Sequence, residues 1–336
     1  MQHQSLLEQG VGHVGRVRYA IQYTPHMPSM EISSTSSSSS TSSTAGASAV
    51  EAFSATVVVG SFMSLLYRSG RRGANAWCDT AGSVGLGYAR LGPMHVTELW
   101  RYPVKSMGGE QLENTQVGVL GIAGDRGWGV FDVATGTVLT ARRSPQLLFA
   151  SARLVDGDVV IDVPEIGETA SGEASVALSR WLGQEVELRA AGDVGGTYEV
   201  PLDFEHDANW VSWTGPAGAW HDSKSSRVSL VSTGTLGDWD LRRFRTNIVV
   251  SGAGEDEFVG HHLQIGPAGS GAELAVSKQI DRCVMVARPQ PGLERDIELL
   301  KTINRDRATF LSIGSLVATP GSVAIGDDVT LLPADN

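Results

Sequence analysis

From His95 to Leu332 the chain is a succession of short apolar or alternating runs, each closed by Gly, Pro, Asn, Asp or Ser. This punctuation restricts the fold more than any other feature. Runs rich in Val, Ile, Leu and aromatic residues, too short for ordinary helices and stopped by turn residues, read as strands. In the first half they are His95–Tyr102, Leu112–Leu120, Trp128–Asp132 and Val138–Ala141, then Phe149–Val155 and Val159–Val163 as a hairpin around Asp156-Gly157-Asp158, and Glu185–Arg189. In the second half they are Arg227–Ser232, Ile248–Val250, one run within Phe258–Gly266, Gly271–Ile280, Val284–Ala287, Phe310–Ala318, Ser322–Ile325 and Asp328–Leu332. Helical spacing is confined to Gly172–Leu182, Thr233–Arg243 and Asp296–Asn304, the last with Ile297, Leu300 and Ile303 on one side. The expected fold is therefore mainly β with a few helices (α+β), a barrel or sandwich rather than repeated βαβ units.

Three changes of texture divide the chain. Residues 1–93 contain an unbroken Ser/Thr run, Ser33–Thr44, among Gly, Ala and Ser. Such a composition buries too little apolar surface to offset chain entropy, so this part is expected to be a disordered leader, or a misassigned start ahead of Met94. Residues 94–192 form a first β-rich unit, 193–225 a long loop between subdomains, and 226–333 a second β-rich unit. The loop carries Trp210, Trp213 and Trp220, and also His206, His221 and Asp222. A long loop in a compact protein is often a lid or a binding wall.

Charge and cysteine usage narrow the function. With 26 Lys+Arg against 37 Asp+Glu the formal charge is −11, which repels a phosphate backbone and argues against nucleic acid as a partner. No apolar run approaches a membrane span; the longest candidate, Ala55–Leu66, is interrupted by Gly60, Ser61 and Ser64. Two cysteines, Cys78 and Cys283, give no disulfide framework and no four-cysteine iron–sulfur site. A reducing compartment follows, with the cytoplasm as the expected location.

The chemistry-bearing stretch is Lys278–Thr302. Cys283 is preceded by Arg282 and has Lys278, Arg288 and Arg295 nearby in sequence. Cations favour the thiolate, the form that attacks electrophiles or binds soft metals. Elsewhere Lys105, Arg126, Arg142, Arg143, Arg243 and Arg245 stand at strand ends or in the turns beside them, where side chains and backbone N–H groups can converge on an anion. The adjacent His261 and His262 point to opposite faces of a strand and receive no metal role.

Several motifs, in order, carry a family resemblance: Y-P-V-K-S at Tyr102–Ser106, G-D-R at Gly124–Arg126, L-T-A-R-R at Leu139–Arg143 and L-V-S-T at Leu230–Thr233. R-R-F-R-T-N at Arg242–Asn247, Arg282-Cys283 and L-K-T at Leu300–Thr302 complete the set. Over roughly Met94–Leu332 the chain resembles the MOSC family (molybdenum cofactor sulfurase C-terminal domain), among members with an N-terminal β-barrel subdomain, including the amidoxime-reducing type. The resemblance implies a β-barrel-like subdomain followed by a MOSC β-barrel. It implies a molybdenum cofactor (Mo-molybdopterin) with Cys283 as metal ligand and catalytic residue. Lys105, Ser106, Arg126 and Arg245 would hold the pterin or its phosphate, with Ser232, Thr233 and Asn247 in the same pocket and Arg142 and Arg282 as further contacts. Asp281 and Thr246 stand where the amidoxime-reducing type often has Ser and Pro, a departure that bears on substrate preference.

The function so implied is reduction of N-hydroxylated small molecules such as amidoximes or hydroxylamines, with electrons from a separate flavin, haem or ferredoxin protein. His221 or Asp222 is the expected proton donor. Two other readings stand beside it. One is a sulfur-carrier or cofactor-carrier module in which Cys283 bears a persulfide; the other is a β-rich binding domain with a structural cysteine.

Overall fold

The computed structural model describes residues 92–203 and 208–333. The expected leader, residues 1–93, lies almost wholly outside the described residues, as does His206.

Seven strands close a barrel. Its order is Ile248–Val250, Val228–Ser232, Phe310–Thr319, Ala272–Asp281, His262–Ile265, Asp328–Leu331 and Met94–Arg101, which returns to Ile248–Val250 through Leu99↔Ile248 and Val96↔Val250. All neighbours are antiparallel except Val228–Ser232 with Ile248–Val250. Closure leaves the ring no free edge. Strand alternation sorts its side chains: Leu230, Ile248, Val250, Leu263, Leu274 and Ile313 fill the inside, whereas Val231, Val249 and Leu311 face outward. There they pack with Phe244, Val286, Leu299 and Ile303, under the helix Ile297–Arg307, which is capped by Asp296. Leu311 and Ile313 are two residues apart, yet they join different cores. Ser312 between them has φ 77°, breaking the period-2 alternation that would put both on one face.

The first unit forms a second core from Val104, Met107, Val130, Leu147, Ile161 and Leu178, among others. Its sheets are Ser151–Val155, Asp158–Val163 and Gly167–Ala170, and Trp128–Asp132 with Val186–Ala190, with the helix Ser171–Leu182 packed on them. That helix ends at Gly183, whose φ of 69° is the left-handed C-terminal stop a glycine provides.

Four local expectations are corrected. Val284–Ala287 is a 3-10 turn, not a strand: the Val286 and Arg288 N–H groups donate to Cys283 O and Met285 O, each at 3.2 Å. A four-residue apolar run has too little periodicity to separate the two. Thr233–Arg243 is not one helix but a helical turn, Thr233–Leu236, stopped at Gly237, then a 3-10 turn, Leu241–Arg243, capped by Asp240. Val138–Ala141 makes only isolated bridges, through Val138 to Phe131 and Tyr198. The stretch 193–225 is not all loop. Thr197–Asp203 and Ala208–Thr214 pair as a hairpin, with Tyr198 opposite Trp213 and Pro201 opposite Trp210. Its Gly-, Ser- and Asp-rich surroundings hid the alternation in sequence.

Candidate functional site

Where the strand Met94–Arg101 ends, Tyr102 is buried and becomes a hub. Its N–H donates to Asp125 Oδ1 at 2.7 Å, and its carbonyl accepts from Arg126 N at 2.7 Å. The Gly124–Arg126 turn is thus zipped onto the Tyr102–Ser106 turn, and Lys105 N to Trp128 O at 2.9 Å continues the zipper. The Tyr102 ring carries Arg126 at 5.4 Å and Arg245 at 4.9 Å from its centroid. Three sequence-separated motifs therefore meet on one aromatic ring.

Lys105 is almost fully buried. Its Nζ donates to Trp220 O at 3.0 Å, pairs with Asp222 Oδ1, and lies 4.2 Å from the centroid of the Tyr198 ring. Burial lowers its pKa, against the pull of Asp222. Arg126 pairs with the buried Asp125 and donates to Arg245 O at 3.3 Å. Burial works against its charge, but Asp125 and Asp222 together raise its pKa. Arg245 donates from Nη1 to Met107 O. Burial first, and then the like charge of Arg126, brings its pKa down to about 10. Asp222 is desolvated by its surroundings, yet Lys105, Arg126 and Arg245 hold it at about 2. Four-fifths of its side-chain surface remains open, whereas Lys105 is almost wholly covered, so Asp222 is the solvent-facing end of the pair.

Ser106, Arg126 and Arg245 have φ of 73°, 52° and 53°. The left-handed region costs a non-glycine residue roughly 1–2 kcal/mol. Three such residues in one cluster mark backbone held in place by its surroundings, as at ligand clamps. Ser106 Oγ accepts from Ala141 N at 2.9 Å, which brings the Leu139–Arg143 motif alongside; Arg142 O in turn accepts from Arg288 Nη2 at 3.5 Å.

Cys283 is a half-buried free thiol, extended in backbone and placed between the end of the strand Ala272–Asp281 and the 3-10 turn. The Arg282 guanidinium beside it is occupied by protein: Nε donates to Leu311 O at 2.9 Å, Nη1 to Phe244 O at 3.0 Å and Nη2 to Ser312 Oγ at 2.6 Å. Burial brings its pKa down to about 10, and its field still reaches Tyr102 and Cys283. Lys105, Arg126, Arg245 and Arg282 are four cations around the carboxylates Asp125 and Asp222, with Asp281 beside Arg282. Cations outnumber carboxylates in this group, which suits an anion such as a phosphate.

Not every expected residue joins. The Asn247 amide is used within the protein: Oδ1 accepts from Ser229 N at 3.1 Å and Ser229 Oγ at 2.9 Å, and Nδ2 donates to Trp100 O at 3.3 Å. Ser232 Oγ caps a helical turn and donates to the buried Glu255 at 2.5 Å, while Thr233 Oγ1 donates to Gly252 O at 3.4 Å. Neither expected proton donor suits that task. Burial lowers the pKa of His221 to about 4, and its Nε2 is bonded to Leu120 O at 2.9 Å. Asp222, at about 2, is ionised and paired. Conversely, Tyr102, Asp125 and Tyr198 belong to the site without having been singled out. The signal for the first two was present, since they are members of the Y-P-V-K-S and G-D-R motifs.

The fold and site together define a class: a two-unit β-barrel protein with a half-buried thiol next to Arg282 and a buried cluster of cations around Tyr102. The MOSC N-terminal beta barrel domain matches residues 94–196 and the MOSC domain matches residues 220–330. The chain belongs to the MOSC-domain family, whose domains are associated with molybdenum cofactor-binding proteins. Among solved structures, the YUAD protein from Bacillus subtilis is 14% identical with a TM-score of 0.40, covering 73% of this chain and 99% of its own. YiiM from Geobacillus stearothermophilus is 16% identical with a TM-score of 0.27, covering 43% of this chain and 76% of its own. No curated protein matches the chain. No helix among the described residues is long and apolar enough to cross a membrane.

Proposed function

We propose that this protein binds a molybdenum–molybdopterin cofactor and reduces N-hydroxylated small molecules. The observation that carries the reading is the excess of cations over carboxylates around Tyr102, on turns held in left-handed conformations, with Arg282 linking the cluster to the free thiol. The donor set fits the group. Lys105, Ser106, Arg126 and Arg245 take its phosphate end, with Arg142 flanking, and Cys283 takes its metal. Among the described residues no three His, Cys, Asp or Glu side chains gather as a metal-binding set; Cys283 is the ligand this chain would offer the metal. When bound, the cofactor supplies two-electron chemistry that removes oxygen from nitrogen.

The chain's own residues bind, orient and exclude. Lys105 and Arg126 lie in a dry wall, where a charge acts more strongly than in water. The reduction consumes two electrons and two protons, converting an N–OH group to N–H and releasing water. His221 and Asp222 are unsuited to donate those protons near neutral pH, so the protons come from solvent. The electrons come from a separate flavin, haem or ferredoxin protein, because two cysteines cannot build a four-cysteine iron–sulfur site.

The test is molybdenum and pterin analysis of protein purified from cofactor-producing cells, beside Cys283→Ala and Arg126→Gln. Near-stoichiometric metal in the parent, with metal retention lost in the first variant and pterin retention weakened in the second, is the expected result. A parent free of both refutes the reading. A persulfide on Cys283 found by mass spectrometry in such a parent would assign the protein to sulfur transfer instead.

A further inference from the structure

Two arginines cross over around Cys283. Arg282, one residue before the thiol, donates to Phe244 O at 3.0 Å. Arg243, one residue before Phe244, reaches the other way. Its Nη1 donates to Val286 O and Arg288 O, each at 3.2 Å, and its Nη2 to Glu294 O at 2.7 Å. Each segment thus sends a guanidinium to the backbone of the other, and Cys283 lies between the anchoring residue Arg282 and the gripped residue Val286.

The carbonyls that Arg243 holds belong to the end of the 3-10 turn Val284–Ala287 and the segment after it. Such end groups have no partner within the turn. A planar guanidinium with five donors can serve three of them at once, which an ammonium on a flexible stem cannot do in the same geometry. The neighbouring Arg242 adds Nη1 to Pro291 O at 3.0 Å. The segment from Cys283 to Glu294 has little regular structure of its own, so these bonds replace the ladder a strand would have supplied.

We infer that Arg243 is the positioning residue of Cys283: through the carbonyls of Val286, Arg288 and Glu294 it fixes the segment that carries the thiol, and so sets how far the sulfur is exposed. The role of that sulfur rests on the cofactor reading above; the clasp itself does not. Its test is made on cofactor-free, full-length Cys78→Ser protein, in which Cys283 is the single thiol, by the rate of alkylation with iodoacetamide under native conditions.

Arg243→Met is expected to raise the rate about tenfold, and Arg243→Lys, which keeps the cation but cannot hold all three carbonyls, to recover only a minor part of the protection. Asn247→Ala, which removes bonds to Ser229 and Trp100 and none to the Cys283–Glu294 segment, provides a destabilised control and should leave the rate within about twofold of the parent. An unchanged or lower rate in Arg243→Met overturns the inference. So does equal acceleration in Asn247→Ala, which would mean that global opening exposes the thiol. A parent without molybdenum would end the cofactor reading and leave this result standing.

Discussion

Replacing Lys105 with Met keeps an unbranched stem in the wall and removes only the ammonium. The wild-type Asp222 carboxyl titrates at about 2, against an ordinary 3.8. Desolvation by its surroundings pushes the other way, so the charge and hydrogen bond of Lys105, with lesser help from Arg126 and Arg245, must more than reverse it. That gap is a net pH-linked contribution of about 2.5 kcal/mol before solvent screening. Because four-fifths of the Asp222 side chain is open to solvent, screening cuts the real coupling to about 1 kcal/mol or less.

Two further effects oppose each other. Trp220 O loses its donor, at a cost of about 1–3 kcal/mol, while removal of an ammonium that burial already disfavours gives part of this back. Global stability should therefore fall by only about 1–2 kcal/mol, and the titration is the sharper readout. In the variant Asp222 should titrate above 2 and move towards or past 3.8. The sign of the linkage follows. A carboxyl depressed in the fold contributes stability above its unfolded pKa and loses it as pH falls through the folded value, so the wild type loses this contribution between 3.8 and about 2. The variant should lose little there. Carboxyl-carbon NMR across that range, with urea midpoints at its two ends, makes the measurement. An Asp222 that still titrates near 2 in Lys105→Met would refute the claim that this pair organises the site.

Three other outcomes follow from the same geometry. Asn247→Ala leaves Ser229 and Trp100 without their buried partner and should cost about 2–4 kcal/mol in urea unfolding without selectively weakening cofactor retention; a selective loss would return Asn247 to the pocket. His221 should stay neutral down to about pH 4. Since its unfolded value is near 6.5, its contribution is present above that pH and is lost on descent to about 4, on the order of 3 kcal/mol in all, and an imidazole NMR titration near 6.5 in the folded protein would contradict this. Ser106→Gly relieves a left-handed backbone at φ 73° but gives up the bond from Ala141 N. Thermal unfolding should change by no more than about 1 kcal/mol, and a larger loss would show that the hydroxyl holds more than that one bond.

Most of the strands were legible in the sequence. Ile248–Val250 and Trp128–Asp132 appear with the bounds expected from their apolar runs, and the helix Ile297–Arg307 overlaps the helical spacing expected over Asp296–Asn304. These are local properties, written in side-chain period and turn chemistry, and so they are legible without a fold. The cationic motifs were legible too, as residue types at strand ends. Their roles were not, because a role depends on partners far away in the chain. Lys105 and Asp222 are 117 positions apart and Arg126 and Arg245 are 119 apart. Only the tertiary structure could pair them, spend Asn247 on Ser229, and turn Arg282 away towards Phe244 and Leu311. It also silenced His221 as an acid, since burial depends on packing from all sides, and no spacing along a chain encodes how much water remains around an imidazole.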